Sequence, residues 1–211
     1  MNYVITIARG FGSGGKEIAA RLADKLGIPC YERQILTFAS EKSGISEEEF
    51  VKVDEKKRKH ILSTFMKTQS LNVEAEPVEK DFKGDDKLFH FQAEVIQHLA
   101  DTESCIIVGK CADYILKNRK NVVSIYVEAP RAVCVKSIVE KLHVSEKRAH
   151  ELIAKTDQFR ANYYEYYTQG NYWTNPVNYD MTLNSDRVGR DQCVDIIYQY
   201  LRIKFGEESV R

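Results

Sequence analysis

Seven residues near the amino end restrict this chain more than any other feature: Gly10-Phe11-Gly12-Ser13-Gly14-Gly15-Lys16. They follow a β-prone run, Tyr3 to Ala8, and precede a stretch from Lys16 to Leu26 in which Ile18, Ala19, Leu22 and Leu26 recur at helical spacing. Gly27 then stands where a glycine C-cap belongs. Strand, glycine loop and helix together are the context that the pattern G-x-x-x-x-G-K requires. The glycines let backbone N–H groups turn inward and approach phosphate oxygens with no Cβ in the way. The helix contributes the positive end of its dipole, and Lys16 a full charge. Gly10, Gly12, Ser13, Gly14, Gly15, Lys16, Glu17 and Ile18 are therefore the expected contacts to a nucleotide's phosphates. A plain flexible turn accounts poorly for so many glycines and a lysine. A dinucleotide fingerprint also needs glycines here, but Lys16 after them fits a P-loop better. No acidic residue closes a second strand in clear Rossmann style, although Glu32 keeps that reading open.

The remaining chain alternates in the same manner. Ile28 to Tyr31 reads as a brief strand whose ladder Pro29 shortens, so the opening is a βαβ unit with a parallel sheet and right-handed crossover. Ser104 to Val108 and Val122 to Val127 are continuous apolar runs of strand length, as in strands covered on both faces, and Met181 to Asn184 is a short last strand. Helical patterns occupy Gln34–Lys42, Leu88–Leu99, Ala132–Leu142, Ser145–Ala154 with Ser145 as N-cap, and Cys193–Phe205. Between them, Ser46-Glu47-Glu48-Glu49 resembles a capping box, and Lys52–His60 reads as a solvated charged face. Residues 67–86, with Pro77, Gly84 and Asp85-Asp86, read as the least ordered part of the first half. The expectation is a doubly wound α/β domain with helical insertions.

Composition removes several other classes. With 211 residues, 43% apolar and 29% charged, the chain is neither collagen-like, low-complexity nor wholly disordered. Its 31 basic and 31 acidic residues balance, giving no general attraction to nucleic acid or an anionic membrane. No apolar run approaches the roughly 18 residues of a spanning helix, and Met1 to Ile7 reads as a strand rather than a leader. Cys30, Cys105, Cys111, Cys134 and Cys193 are odd in number, scattered, and lack a CxxC pair. That argues against a disulfide framework or zinc cluster and for the cytoplasm. His60, His90, His98, His143 and His150 show no recurring ligand spacing.

Further segments carry a family resemblance. Ile5 to Ala19, then Leu26-Gly27-Ile28-Pro29 and Tyr31-Glu32-Arg33, resemble the cytidylate-kinase-like proteins of bacteria, relatives of the P-loop nucleoside monophosphate kinases. Val108 to Tyr114, Lys155 to Tyr164 and Asn178 to Met181 resemble the same family in the same order. The resemblance implies a P-loop NTPase fold with a sheet of about five parallel strands flanked by helices. Its core would be 1–31, 103–145 and 178–211, with a helical acceptor-binding insertion at about 32–102 and a lid at about 146–177. It implies transfer of the γ-phosphoryl group of ATP, with Mg²⁺, to a small-molecule acceptor such as CMP or dCMP.

By position, Lys16 with the glycine loop would hold donor phosphates, and Arg33, Gly109, Lys110 and Asp113 would face the acceptor. Lys155, Asp157 and Arg160 would form the lid's catalytic group. Asp157 and Arg160 are also spaced as an ordinary i,i+3 helix pair. Arg9, Arg131 and Arg148 are secondary candidates for charge neutralisation, and Asp113 for capping the helix after it. The chain departs from the pattern in three places. Glu17 stands where a magnesium-binding hydroxyl is usual, so its carboxylate either holds the metal or faces away. Lys110 replaces an arginine and Glu32 an aspartate, and lysine cannot make a bidentate fork to phosphate. Another small-molecule kinase, or a nucleotide-binding regulatory protein without turnover, are the rival readings. The aromatic run Tyr163 to Trp173 suits base stacking, a lid seal, a homo-oligomer interface or core packing.

Overall fold

The computed structural model describes residues 2–43 and 83–210. The Ser46 capping box, the Lys52–His60 face and residues 67–82 lie outside the described residues. The chain divides into two units, Met1–Glu32 with Gln97–Arg211, and Arg33–Ile96.

The first unit is built on a sheet of five parallel strands: β1 (Val4–Arg9), β2 (Cys30–Tyr31), β3 (Cys105–Val108), β4 (Val122–Glu128) and β5 (Met181–Asn184), in the order β2-β3-β1-β4-β5. β1 lies at the centre, in register with Cys105–Val108 on one side and Val122–Val127 on the other. Its first five residues are buried, as expected for a strand covered on both faces. On one face Ile5, Ile7, Val108, Ile125 and Val127 pack against two helices, α1 (Gly15–Leu26) and the closing helix (Arg190–Phe205). α1 supplies Ile18, Leu22 and Leu26, the stripe seen in the sequence, and ends at Gly27 with φ 63°.

The opposite face of the same strands is more polar. Thr6 Oγ1 donates to Ser124 Oγ at 3.0 Å across β1 and β4, and Tyr126 stacks on Tyr179 and meets Trp173 edge-on. Part of the aromatic run thus becomes core. Tyr164, Trp173 and Tyr179 are at most 8% exposed, whereas Tyr172 is 70% exposed.

In the second unit, α2 (Gln34–Ser43) buries Ile35, Leu36 and Ala39. α3 (Lys83–Thr102) begins there, burying Leu88, Val95 and Ile96, and starts five residues before the apolar pattern. Gly84, Asp85 and Asp86, assigned to a loosely ordered stretch by composition, are therefore helical; acidic residues suit a helix's first turn.

After β3 comes the short α4 (Ala112–Ile115), after β4 comes α5 (Arg131–Leu142), and then α6 (Glu146–Tyr167). Ser145 caps α6 as anticipated, accepting from Arg148 N. The helix does not stop at Ala154: it continues for 13 more residues, so the expected helix and the segment after it are one rod. A 3₁₀ turn at Pro176–Asn178 and a short helix α7 (Ser185–Val188) were not evident in the sequence. The closing helix, α8, begins at Arg190 rather than Cys193. All five cysteines are free thiols. No described helix is long and apolar enough to cross a membrane.

Candidate phosphate-binding site

The glycine loop leaves β1 at Gly10, whose N–H donates to Val127 O at 3.0 Å, and enters α1 at Gly15. Gly12, at φ 92°, has no room for a side chain, since a Cβ would stand 2.8 Å from the carbonyl oxygen of Cys134. Gly14 is the helix N-cap at φ 83°, under the guanidinium of Arg190. Ser13 braces the bend: its Oγ donates to Gly10 O at 2.9 Å, and its own carbonyl accepts from Ser185 Oγ at 2.5 Å. It is 1% exposed, so its hydroxyl shapes the loop rather than reaching a ligand. Ile18 is also removed from the ligand set, because its N–H makes the first helical bond to Gly14 O and its side chain is core.

What remains is an anion-sized set of donors. Among the described residues, the amides of Gly12, Gly14, Lys16 and Glu17 make no hydrogen bond to protein. They cluster at the N-terminus of α1, where the dipole favours negative charge. Lys16 is exposed and its Nζ rests on Glu32 Oε2 at 2.6 Å. The other Glu32 oxygen takes Arg9 Nη2 at 2.7 Å. Burial pushes the Glu32 carboxyl up, but the hydrogen bonds and charges of Lys16 and Arg9 outweigh it and hold its pKa below the usual range. Glu32 is thus an internal anion resting where the loop lysine can exchange it for a phosphate.

Glu17 does not suit a metal. Its carboxylate lies between Arg21 and Arg190, each at 2.5 Å, with Lys141 at 3.8 Å, and so ties α1 to α8 and to α5. A divalent cation entering there would face three positive charges. The expectation of Glu17 as a magnesium ligand is accordingly not supported by its surroundings. The donor set fits phosphates; no comparable set for Mg²⁺ is formed at this position.

α6 lies directly on the loop. Asp157 Oδ1 accepts the Phe11 N–H at 2.8 Å, Arg160 Nη1 donates to Arg9 O at 2.9 Å, and the same guanidinium covers the Phe11 ring. Asp157 and Arg160 pair at 3.3 Å on one helix face, as i,i+3 spacing provides. Burial raises the Asp157 carboxyl above its ordinary pKa, while burial and the charge of Arg9 lower Arg160 to about 10. Arg160 remains a cation at neutral pH. Lys155 is exposed and, two residues from Asp157, sits on a different face of α6, so the structure does not bring it into this group.

The turn after β3 runs through Gly109, Lys110 and Cys111, all at positive φ. Gly109 N donates to Ile7 O, and Arg9 spans from Glu32 to the turn, its Nη1 lying against Gly109. Asp113 follows, buried in α4 and bonded to Tyr164 Oη at 2.7 Å. Arg33 belongs to the second unit, where its carbonyl accepts Leu36 N. Arg131 donates to His150 O and Arg148 pairs with Glu151, so neither joins the loop; Arg9 does.

Three participants carried no strong signal in the sequence. Arg190 covers Gly14 from α8. Glu128, at the end of β4, packs its carboxylate against Gly10 and accepts from Tyr126 Oη at 2.6 Å and from Ala129 N. Ser185 holds the loop carbonyl. Position gave a hint for one of them: Glu128 ends the apolar run of β4.

A family model described as the cytidylate kinase-like family matches residues 4–187. Among solved structures, an uncharacterized protein from Eubacterium ventriosum is 26% identical over 95% of this chain and 98% of its own, with a TM-score of 0.69. A shikimate kinase from Bacteroides thetaiotaomicron is 11% identical, covering 95% of this chain and 98% of that one, with a TM-score of 0.52. A sugar kinase from Janibacter is 14% identical, covering 96% of each chain, also at 0.52. The last two speak to the fold alone. Comparison with functionally curated proteins returned no match.

Proposed function

Because the chain belongs to the cytidylate kinase-like family and has the P-loop kinase fold, we propose that it transfers the γ-phosphoryl group of ATP to a nucleoside monophosphate, CMP or dCMP foremost. The observation that carries this reading is the set of partnerless amides at Gly12, Gly14, Lys16 and Glu17, with Lys16 beside them. Those amides would take the donor's phosphate oxygens, and Lys16 would leave Glu32 to add its charge to the β/γ region. Arg160, already half-buried above the loop, would stabilise the charge that develops on the transferring group without reorganising. Asp157 would keep that guanidinium aimed and the loop closed from the side of Phe11. Lys110, at the end of β3, would meet the acceptor as a point charge. The region 146–177 would act as the lid by holding water away from the transfer. Free thiols suit a reducing cytoplasm.

A coupled assay with ATP and Mg²⁺ against a panel of monophosphates tests this reading. Turnover with CMP or dCMP supports it, and turnover with a different acceptor refutes the acceptor assignment while keeping the kinase. One observation favours a second reading, a nucleotide-binding protein without turnover. The usual metal-binding hydroxyl is a glutamate locked among three cations. Tight ATP binding with no turnover on any acceptor would select it.

A further inference from the structure

α6 and the turn after β3 meet in one buried hydrogen bond. Asp113 is 6% exposed and Tyr164 4% exposed, and the phenol donates to Asp113 Oδ2 at 2.7 Å. Asp113 lies in α4, directly after the turn, so this bond ties α6 to the element that the turn leads into. Asp113 thus has a buried structural partner in Tyr164, beyond the acceptor-facing role that its position in the family pattern implies.

The backbone just before it shows what this bond restrains. Gly109, Lys110 and Cys111 follow one another at φ 77°, 60° and 54°. For glycine that region costs nothing, but Lys110 and Cys111 adopt it against the repulsion of their own Cβ atoms. Such backbone persists only where its surroundings over-determine it. Here the surroundings are Ala112 N on Gly109 O at 3.2 Å, Ile115 N on Cys111 O at 2.9 Å, the buried Cys111, and Asp113, which Tyr164 secures.

We infer that the Tyr164–Asp113 hydrogen bond is a positioning contact that lets α6 hold the Gly109–Cys111 turn in its left-handed form and so fixes where Lys110 stands. The inference rests on the proposed reading only in taking Lys110 as the acceptor contact. Tyr164 from α6 bonds Asp113, Tyr179 from the segment before β5 lies near it, and Lys117, Arg119, Asp180 and Lys204 line the same cavity. Burial is the largest influence on the carboxyl and raises it to about 6. The enclosed carboxyl binds a proton more tightly than an opened, hydrated one would, so acid favours the closed turn.

Amide hydrogen exchange reads the turn without reference to activity. In Tyr164→Phe the amides of residues 109–112 should exchange about tenfold faster, the loss of one buried hydrogen bond, while those of residues 12–18 stay unchanged. Unchanged exchange at 109–112 overturns the inference. Should Tyr164→Phe fail to fold, Asp113→Asn replaces it. Corrected for intrinsic rates, wild-type exchange at the turn should slow from pH 7 to pH 5, and that of Asp113→Asn should not; equal slowing in both overturns the inference. Kinetics with the monophosphate that turns over give the second arm. Tyr164→Phe should raise the acceptor KM about tenfold and leave the ATP KM alone. Two KM values that rise together contradict the positioning role. If the wild type turns over no monophosphate, the proposed function fails and the exchange result still decides this inference.

Discussion

β1 and β3 are neighbours in the sheet, and each ends in a left-handed bend, yet the two bends are held by different means. After β1 the positive φ values fall on Gly12 and Gly14, and the loop is braced by Ser13, Gly10 and Ser185, which leave four amides to spare. After β3 they fall on Gly109, Lys110 and Cys111, and the bend depends on Asp113 and on a tyrosine from a helix 51 residues away. The first bend is local and offers backbone; the second is imposed by packing and offers a side chain. A surface made of backbone recognises any phosphate, whereas one made of a placed lysine can be tuned to an acceptor.

The largest expected effect falls on the helix that touches both bends. If Arg160 has the role proposed for it, Arg160→Ala should lower kcat by about 10³-fold with little change in ATP affinity, since its charge would act on the transferring group. Steady-state kinetics check this, and equal losses in kcat and ATP affinity would make Arg160 a ground-state contact. Next comes the pH dependence at Asp113. Its folded pKa is about 6 against an ordinary 3.8, so the folded state binds a proton that the unfolded state has released between those values. Unfolding free energy should therefore fall by about 3 kcal/mol as pH rises from about 4 to 6. Urea melts of wild type and Asp113→Asn measure it: the decline attributable to this group should be absent from the variant.

The loop predicts smaller but more local losses. Gly12→Ala forces a Cβ toward Cys134 O at a positive φ and should cost about 2 kcal/mol along with nucleotide affinity, read by thermal melts with and without ATP. A variant that binds ATP normally would show that the bend tolerates a side chain, as the β3 bend does. Ser185→Ala removes a buried donor from Ser13 O and should cost about 1 kcal/mol in the same melts.

The sequence revealed the first bend far better than the second, for the same reason. β1, the loop and α1 are written in neighbouring residues: an apolar run, glycines, a lysine, then Ile18, Leu22 and Leu26 at helical spacing, with Gly27 to stop. The full length of α6 was not legible because so little of it faces a core. Only Ala149, Ile153 and Tyr164 are buried, too few to mark a stripe across 22 residues. Its later half is held by polar contacts to distant chain: Asp157 to Phe11, Arg160 to Arg9, Tyr164 to Asp113. Glu32, Arg9 and Glu128 are likewise brought together by parallel pairing, which no local pattern records. Glu17 was the reverse case. Its position in the motif pointed toward a metal, and three cations from α1, α5 and α8 gave it a different task.

The most direct measurement is an ATP titration of the ¹⁵N-labelled protein followed at each backbone amide. The account predicts saturable shifts concentrated at Gly12, Gly14, Lys16 and Glu17, with the Lys16→Ala variant losing most of the affinity. Saturable binding that leaves those four amides unmoved would contradict it.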